Sequence, residues 1–248
     1  MELCNYDVYA FSKRDWVEYC FYVFVKSAVI CFLFYDSYKG IFLFAPIYFI
    51  DYKNMKKRRI NDRKRRLTIQ FKDMMEALVN SLNAGYSLEH AFEDARKDLL
   101  LVYEKDAYIL KEIDIILTGL KMNIPLERLL KDFGTRSSIE DIDNFAKVVA
   151  VAKRSGGNLI RIIQKTVNSI CDKINVEEEI ETLITSKKIE SKIMMLMPYG
   201  ILFYLRMANG EFMTPLYHNL IGIAFMTGFL LLIYFSDWWA NKIMEITV

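Results

Sequence analysis

Ser87 and His90, three residues apart in "AGYSLEHAF", invite a nucleophile reading, because a serine hydroxyl attacks when a nearby base takes its proton. The position of Ser87 favours another task. It directly precedes Leu88, the first residue of an apolar helical stripe, where a hydroxyl accepts a backbone N–H and caps the helix. His90 and His218 are the only histidines among 248 residues, which excludes a histidine-rich metal site and a Ser-His-Asp triad built from neighbours. Cys4, Cys20, Cys31 and Cys171 are scattered with no C-x-x-C pair and read as packing residues. Asp172, Glu177, Glu178, Glu179 and Glu181 form the densest acidic run, open to metal ligation or partner docking but favoured as a solvated helix face. No G-x-x-x-x-G-K-[ST] sequence is present, so the chain has no phosphate loop of its own. No enzyme activity, cofactor or metal is expected.

The elements that carry these residues are sorted by charge. Residues 53–192 hold 27 of the 33 basic and 22 of the 31 acidic residues, leaving 16–52 and 193–239 mostly apolar. "LYHNLIGIAFMTGFLLLIYFSDWW" contains an uncharged run from Asn219 to Ser236, close to the roughly 20 residues that cross a bilayer core of about 30 Å, and it ends in interfacial Trp238 and Trp239. "IMMLMPYGILFYL" before it becomes a span if Lys192 and Arg206 snorkel outward, with a kink at Pro198. Residues 17–52 read as a hydrophobic hairpin around the polar "DSYK", forming one or two spans; the second arm is short and Lys26 interrupts the first. Nine basic residues follow: Lys53, Lys56, Lys57, Arg58, Arg59, Arg63, Lys64, Arg65 and Arg66. Beside a span, such a collar marks the cytoplasmic side and attracts anionic membrane lipids, a reading preferred to nucleic acid. Residues 1–16 and 240–248 are tails, and "MANGEFMTP" a short outer loop.

From Leu67 to Lys192 the apolar spacing is three and four throughout, with no strand alternation. Phe71, Met74, Met75, Leu78 and Leu82 form a stripe that Gly85 ends, since glycine takes the left-handed conformation closing a helix C-terminus. Leu88, Ala91, Phe92 and Ala95 open the next. Further helices are expected over about 103–120, from Pro125 through Phe133, from an Ser138 cap and Asp141 through Ala152, and from an Asn158 cap through Ile174 toward the third span. "AGYSLEHAF", "MNIPLERLL" and "SGGNLIRII" share one form: a turn-former or cap, then a leucine that restarts an apolar face. The fold class is all-α: an integral membrane protein whose cytoplasmic antiparallel helical bundle, residues 67–192, lies between N-terminal and C-terminal transmembrane helices.

"FKDMMEALVNSLNAGYSLEHAFEDA" resembles the opening of the cytoplasmic domain of the type II secretion system F family, the inner-membrane platform proteins of type II secretion, type IV pili and Tad (Flp) pili. The match rests on Ala84, Gly85, Ser87, Leu88 and Ala91; Gly156, Gly157, Asn158 and Leu159 are similar to a second landmark of the family, and "MLMPYGIL" with Pro198 to its membrane-side half. The resemblance covers about residues 41–248, and a single domain is similar to the Tad branch. It implies a non-enzymatic platform in the cytoplasmic (inner) membrane that couples a cytosolic pilus or secretion ATPase to pilin subunits, alone as a homo-oligomer or with a sister platform protein. Glu89, Glu93 and Asp94, on the polar side of a short helix, are the candidate docking residues for that partner. The departures are short hydrophobic arms, Lys26 within the first arm, and no acidic-arginine constellation assignable to ATPase contact. A membrane-anchored scaffold or signalling protein without an ATPase partner is the alternative.

Overall fold

The structure, a computed structural model, describes residues 6, 13–35, 44–155, 159–208 and 210–244. No strand occurs among the described residues. The elements are α1 (Lys13–Ile30) with a π-helical turn (Cys31–Tyr35), α2 (Phe44–Asn83), α3 (Leu88–Val102), α4 (Tyr108–Lys121), α5 (Leu126–Ser137), α6 (Glu140–Ser155), α7 (Leu159–Ala208), α8 (Gly210–His218) and α9 (Leu220–Met244). The chain divides into two compact units, one of Met1–Tyr9 with Met55–Val176 and one of Ala10–Asn54 with Glu177–Val248. These limits differ from the expected 67–192: Tyr6 and most of the basic collar join the first unit, and residues 177–192 fall in the second.

In the first unit, α2 buries Leu67, Phe71, Met74, Met75, Leu78 and Leu82, a single face at helical spacing. Phe71 meets Phe133 of α5 edge-on at 6.1 Å and Phe145 of α6 at 5.8 Å between ring centroids, so one side chain organises three helices. Gly134 lies where α5 meets α6. A Cβ there would stand 3.0 Å from the Asp143 Cα, and that backbone neighbour limits the position to glycine at this spacing.

Three local expectations are corrected. The helix placed at 103–120 begins at Tyr108; Tyr103 instead ends α3, donating its N–H to the Leu99 carbonyl at 2.8 Å while its phenol donates to Asp73 on α2. Ser138 does not cap α6. It sits at φ 51 and donates its N–H to the Gly134 carbonyl at 3.1 Å, and the left-handed backbone that closes α5 is incompatible with the extended one an N-cap requires. Pro125 takes the N-cap position of α5, one residue before the first turn.

The centre of the unit also holds charge. Glu112 of α4 is 1% exposed, and Arg136 of α5 grips it with two parallel bonds, Nη1 to Oε1 at 2.8 Å and Nη2 to Oε2 at 2.6 Å. Arg136 Nε donates to Asp132 one turn back at 2.7 Å, and the Tyr6 hydroxyl donates to Glu112 Oε1 at 2.9 Å. The Glu112 hydrogen bond holds the guanidinium pKa well above its ordinary value against the opposing effect of burial. A raised pKa stabilises the fold below the unfolded value, so the cation side of this pair is intact at every working pH.

The second unit contains two helical stretches long and apolar enough to cross a membrane, Trp16–Tyr35 and Ile221–Ala240, 20 residues each. They pack together: Ile30, Leu33 and Phe34 share a core with Met226 and Leu230, and the Tyr35 hydroxyl lies 3.1 Å from that of Thr227. Residues 193–205, expected as a further span, form the C-terminal part of α7 and are not among these candidates, since Lys192 and Arg206 confine the uncharged run to about 20 Å of helix. Arg206 does not point away as a snorkelling anchor. Its guanidinium lies 3.8 Å from the Phe32 ring centroid and donates to the Phe32 carbonyl, while the Tyr217 hydroxyl donates to the Leu33 carbonyl at 2.7 Å. Carbonyls at a helix end lack intrahelical donors, and these two side chains supply them. The expected outer loop is helical over Gly210–His218, with Met213 buried. The hairpin turn at 36–39 lies outside the described residues.

Removing one partner of a buried ion pair strands the other. Glu112→Leu or Arg136→Leu in the detergent-solubilised full chain should lose about 3–5 kcal/mol in denaturant unfolding, and the double variant less than the sum of the singles.

Candidate functional site

The first landmark of the sequence, Ala84 to Ala91, is a helix reversal whose every residue has a physical task. Gly85 takes φ 91; its N–H donates to the Leu82 carbonyl at 3.1 Å and that of Tyr86 to the Ser81 carbonyl at 3.2 Å, the paired closure of a Schellman motif. Ala84 donates to the Asn80 carbonyl at 3.1 Å, completing the last turn. Ser87, at ψ 158, accepts the His90 N–H at 3.3 Å and caps α3. The hydroxyl therefore serves the backbone, and the His90 imidazole pairs with Glu93 at 3.5 Å on the surface. Leu88 and Ala91 enter the core. Gly156, Gly157 and Asn158 lie outside the described residues; Leu159 opens α7 and Pro198 lies inside it.

Lys153, near the end of α6, joins what the sequence repeats. Its Nζ lies 3.7 Å from Glu89 in the first turn of α3 and 3.2 Å from Glu127 in the first turn of α5. Gln164 of α7 hydrogen-bonds Asn83 at the end of α2. The restarts at Ser87 and Pro125 and the helix end preceding the third restart thus share one end of the unit. From Arg66 to Asn83 is 17 residues of α2, so this end stands about 25 Å along the helix from the collar.

Each proposed docking acid has a neighbour on the surface: the Lys153 ammonium lies 3.7 Å from Glu89, the His90 imidazole 3.5 Å from Glu93, and the Lys97 ammonium 2.8 Å from Asp94. The hydrogen bond that Lys97 donates to Asp94 raises the Lys97 pKa. These pairs are largely solvent-exposed, and each contributes little to stability. In the collar, Lys56, Lys57, Arg65 and Arg66 are exposed and Arg59 and Lys64 half-buried; the side chains of Lys53 and Arg58 lie outside the described residues. Arg63 departs from the lipid-facing expectation. Its guanidinium sits 5.8 Å from the Tyr6 ring centroid and 5.9 Å from that of Tyr108, because nine basic residues on a helix point in all directions and one of them meets the core.

Between α2 and α7 runs a polar groove lined by Glu76, Asn80, Asn168, Asp172 and Asn175, floored by Val79, Val167 and Cys171. Asp172 belongs to this groove, while Glu177, Glu178, Glu179 and Glu181 lie beyond the unit boundary on α7. No group of three or more metal-ligating side chains occurs among the described residues.

Sequence reasoning missed Tyr6, Glu112, Arg136 and Lys153. Glu112 carried a legible signal: it occupies the buried stripe of Ile109, Ile113 and Ile116, and Arg136 follows Phe133 at the same spacing. An acid and an arginine on two apolar stripes mark a pair that must meet. No family model, curated protein or solved structure matches the chain.

Burial, then the Glu76 carboxylate, push the Cys171 thiol up to about 11. In a chain whose other cysteines are replaced, maleimide labelling at pH 8 should be on the order of a hundredfold slower than after denaturation, since only the thiolate reacts.

Proposed function

We propose that this chain is a platform protein of the cytoplasmic (inner) membrane, of the type II secretion system F family and its Tad/Flp-pilus branch. It anchors a pilus or secretion machine and couples a cytosolic assembly ATPase to the insertion or extraction of pilin subunits, with itself or a sister protein as oligomeric partner. The observation that carries this reading is the helix reversal at Ala84–Ala91, whose residues resemble the family's landmark and here form a closed turn, a cap and core contacts. Two helices with the length and composition of membrane spans support it, as does the basic stretch at 53–66 on the N-terminal part of α2.

In this reading the first unit, which holds residues 55–176, is an antiparallel bundle in the cytoplasm, its basic collar rests on anionic headgroups, and the end carrying Glu89 and Lys153 faces the cytosol. The ATPase docks there, exchanging the local pairs of Glu89, Glu93 and Asp94 for its own cations. Force passes through α7, which is helical from Leu159 to Ala208. A helix transmits rotation or tilt that a flexible segment dissipates.

Cells lacking the gene should lose surface pili by electron microscopy while processed pilin accumulates in the membrane fraction. A Gly-Ser insertion after Val176 should reproduce that defect with the protein still inserted. Normal piliation in cells with no second copy of the gene would overturn the platform reading and favour a membrane-anchored helical scaffold.

A further inference from the structure

Tyr6 does not behave as part of a free tail. Its side chain is 1% exposed and belongs to the core that includes Leu67 and Phe71. Its hydroxyl donates to Glu112 at 2.9 Å, its backbone N–H donates to the Arg136 carbonyl at 3.3 Å, and its ring meets that of Tyr108 edge-on at 5.9 Å. Backbone and side chain are both held, by α4 and by α5. A tyrosine whose ring is buried and whose hydroxyl is paired is an anchor, and its departure would leave the buried Glu112 carboxylate one donor short.

These bonds have a consequence for the membrane. Contacts of 3.3 Å or less cannot be made across a hydrocarbon core of about 30 Å, so Tyr6 and residues 55–176 occupy the same side of it. Ten residues after Tyr6 begins Trp16–Tyr35, long and apolar enough to cross. A chain that crosses there and reappears on the starting side by Met55 has crossed an even number of times.

We propose that Tyr6 docks the N-terminal segment into the bundle, that the N-terminus and the bundle share one face of the membrane, and that the chain recrosses between Tyr35 and Met55. The inference rests on reading Trp16–Tyr35 as a span and deepens the platform proposal by deciding between one and two N-terminal crossings. The uncharged stretch available for the return is Gly40–Ile50, 11 residues where a helical crossing ordinarily takes about 20.

The test is sidedness of the full chain, with Cys4, Cys20, Cys31 and Cys171 replaced and single cysteines introduced as Glu2→Cys, Ser37→Cys and Lys147→Cys. A membrane-impermeant maleimide should label the Glu2 and Lys147 variants in inverted vesicles only and the Ser37 variant in right-side-out vesicles only. Opposite faces for Glu2 and Lys147 overturn the shared face, and one face for all three overturns the double crossing. Docking has its own measurement. Protease should remove an N-terminal tag at least tenfold faster from Tyr6→Ala than from the parent chain, with Tyr6→Phe between them; equal rates overturn the anchor. None of these readouts involves pili, so a failure of the platform reading leaves them interpretable.

Discussion

The buried pair of Arg136 and Glu112 constrains the first unit more than any single apolar contact does. Apolar side chains accept many neighbours at similar energy, whereas two parallel hydrogen bonds at 2.6 and 2.8 Å fix the rotation and height of α5 against α4. Such a pair gains little stability over a hydrophobic substitute, because taking two charges out of water offsets most of their attraction. Its effect is on which arrangement survives: any packing that separates the two strands a buried charge. Tyr6 completes the carboxylate's shell and Asp132 that of the guanidinium, so the polar centre is satisfied from four positions in the chain.

The second unit meets the same requirement with different partners. Lys26, in the middle of a helix otherwise suited to hydrocarbon, has its ammonium 5.5 Å from the Tyr234 ring centroid and 5.9 Å from that of Tyr22. Arg206 lies over Phe32. Aromatic faces attract a cation without introducing a second charge that would itself need solvation. The exposed sides of these helices carry Phe21, Phe24, Phe225, Leu231 and Leu232, and Trp238 and Trp239 cluster near the end of α9 with Lys242 5.0 Å from the Trp238 ring centroid. Such surfaces are costly in water and at home in lipid.

The three helix restarts gain meaning from Lys153. A repeated turn is a local device, but a lysine that reaches the first turns of α3 and α5 from the end of α6 gathers local devices into one surface. The acids there sit in first turns, where the helix dipole favours them, and the lysine sits in a last turn, where it favours a cation. The bond to Glu89 is exposed on both sides, whereas Glu127 is half-buried.

The helices, their apolar faces and the Gly85–Ser87 reversal were legible in the sequence because each depends on neighbours within four residues: spacing, a left-handed glycine, a capping hydroxyl. Where two local devices competed for one residue, the sequence was ambiguous. Ser138 could open α6 or close α5, and the demands of the α5 terminus decided it. The limits of the units, the docking of Tyr6 and the meeting of Glu112 with Arg136 belong to the tertiary structure alone, since residues 106 and 24 positions apart leave no local trace of their contact. The one hint was compositional, a charge on an apolar stripe, which states that a partner is needed and not which one. Charge and hydrophobic spacing determined where helices form and which faces seek burial; only the fold decided which buried charges answer one another, because that choice is made by proximity across the chain.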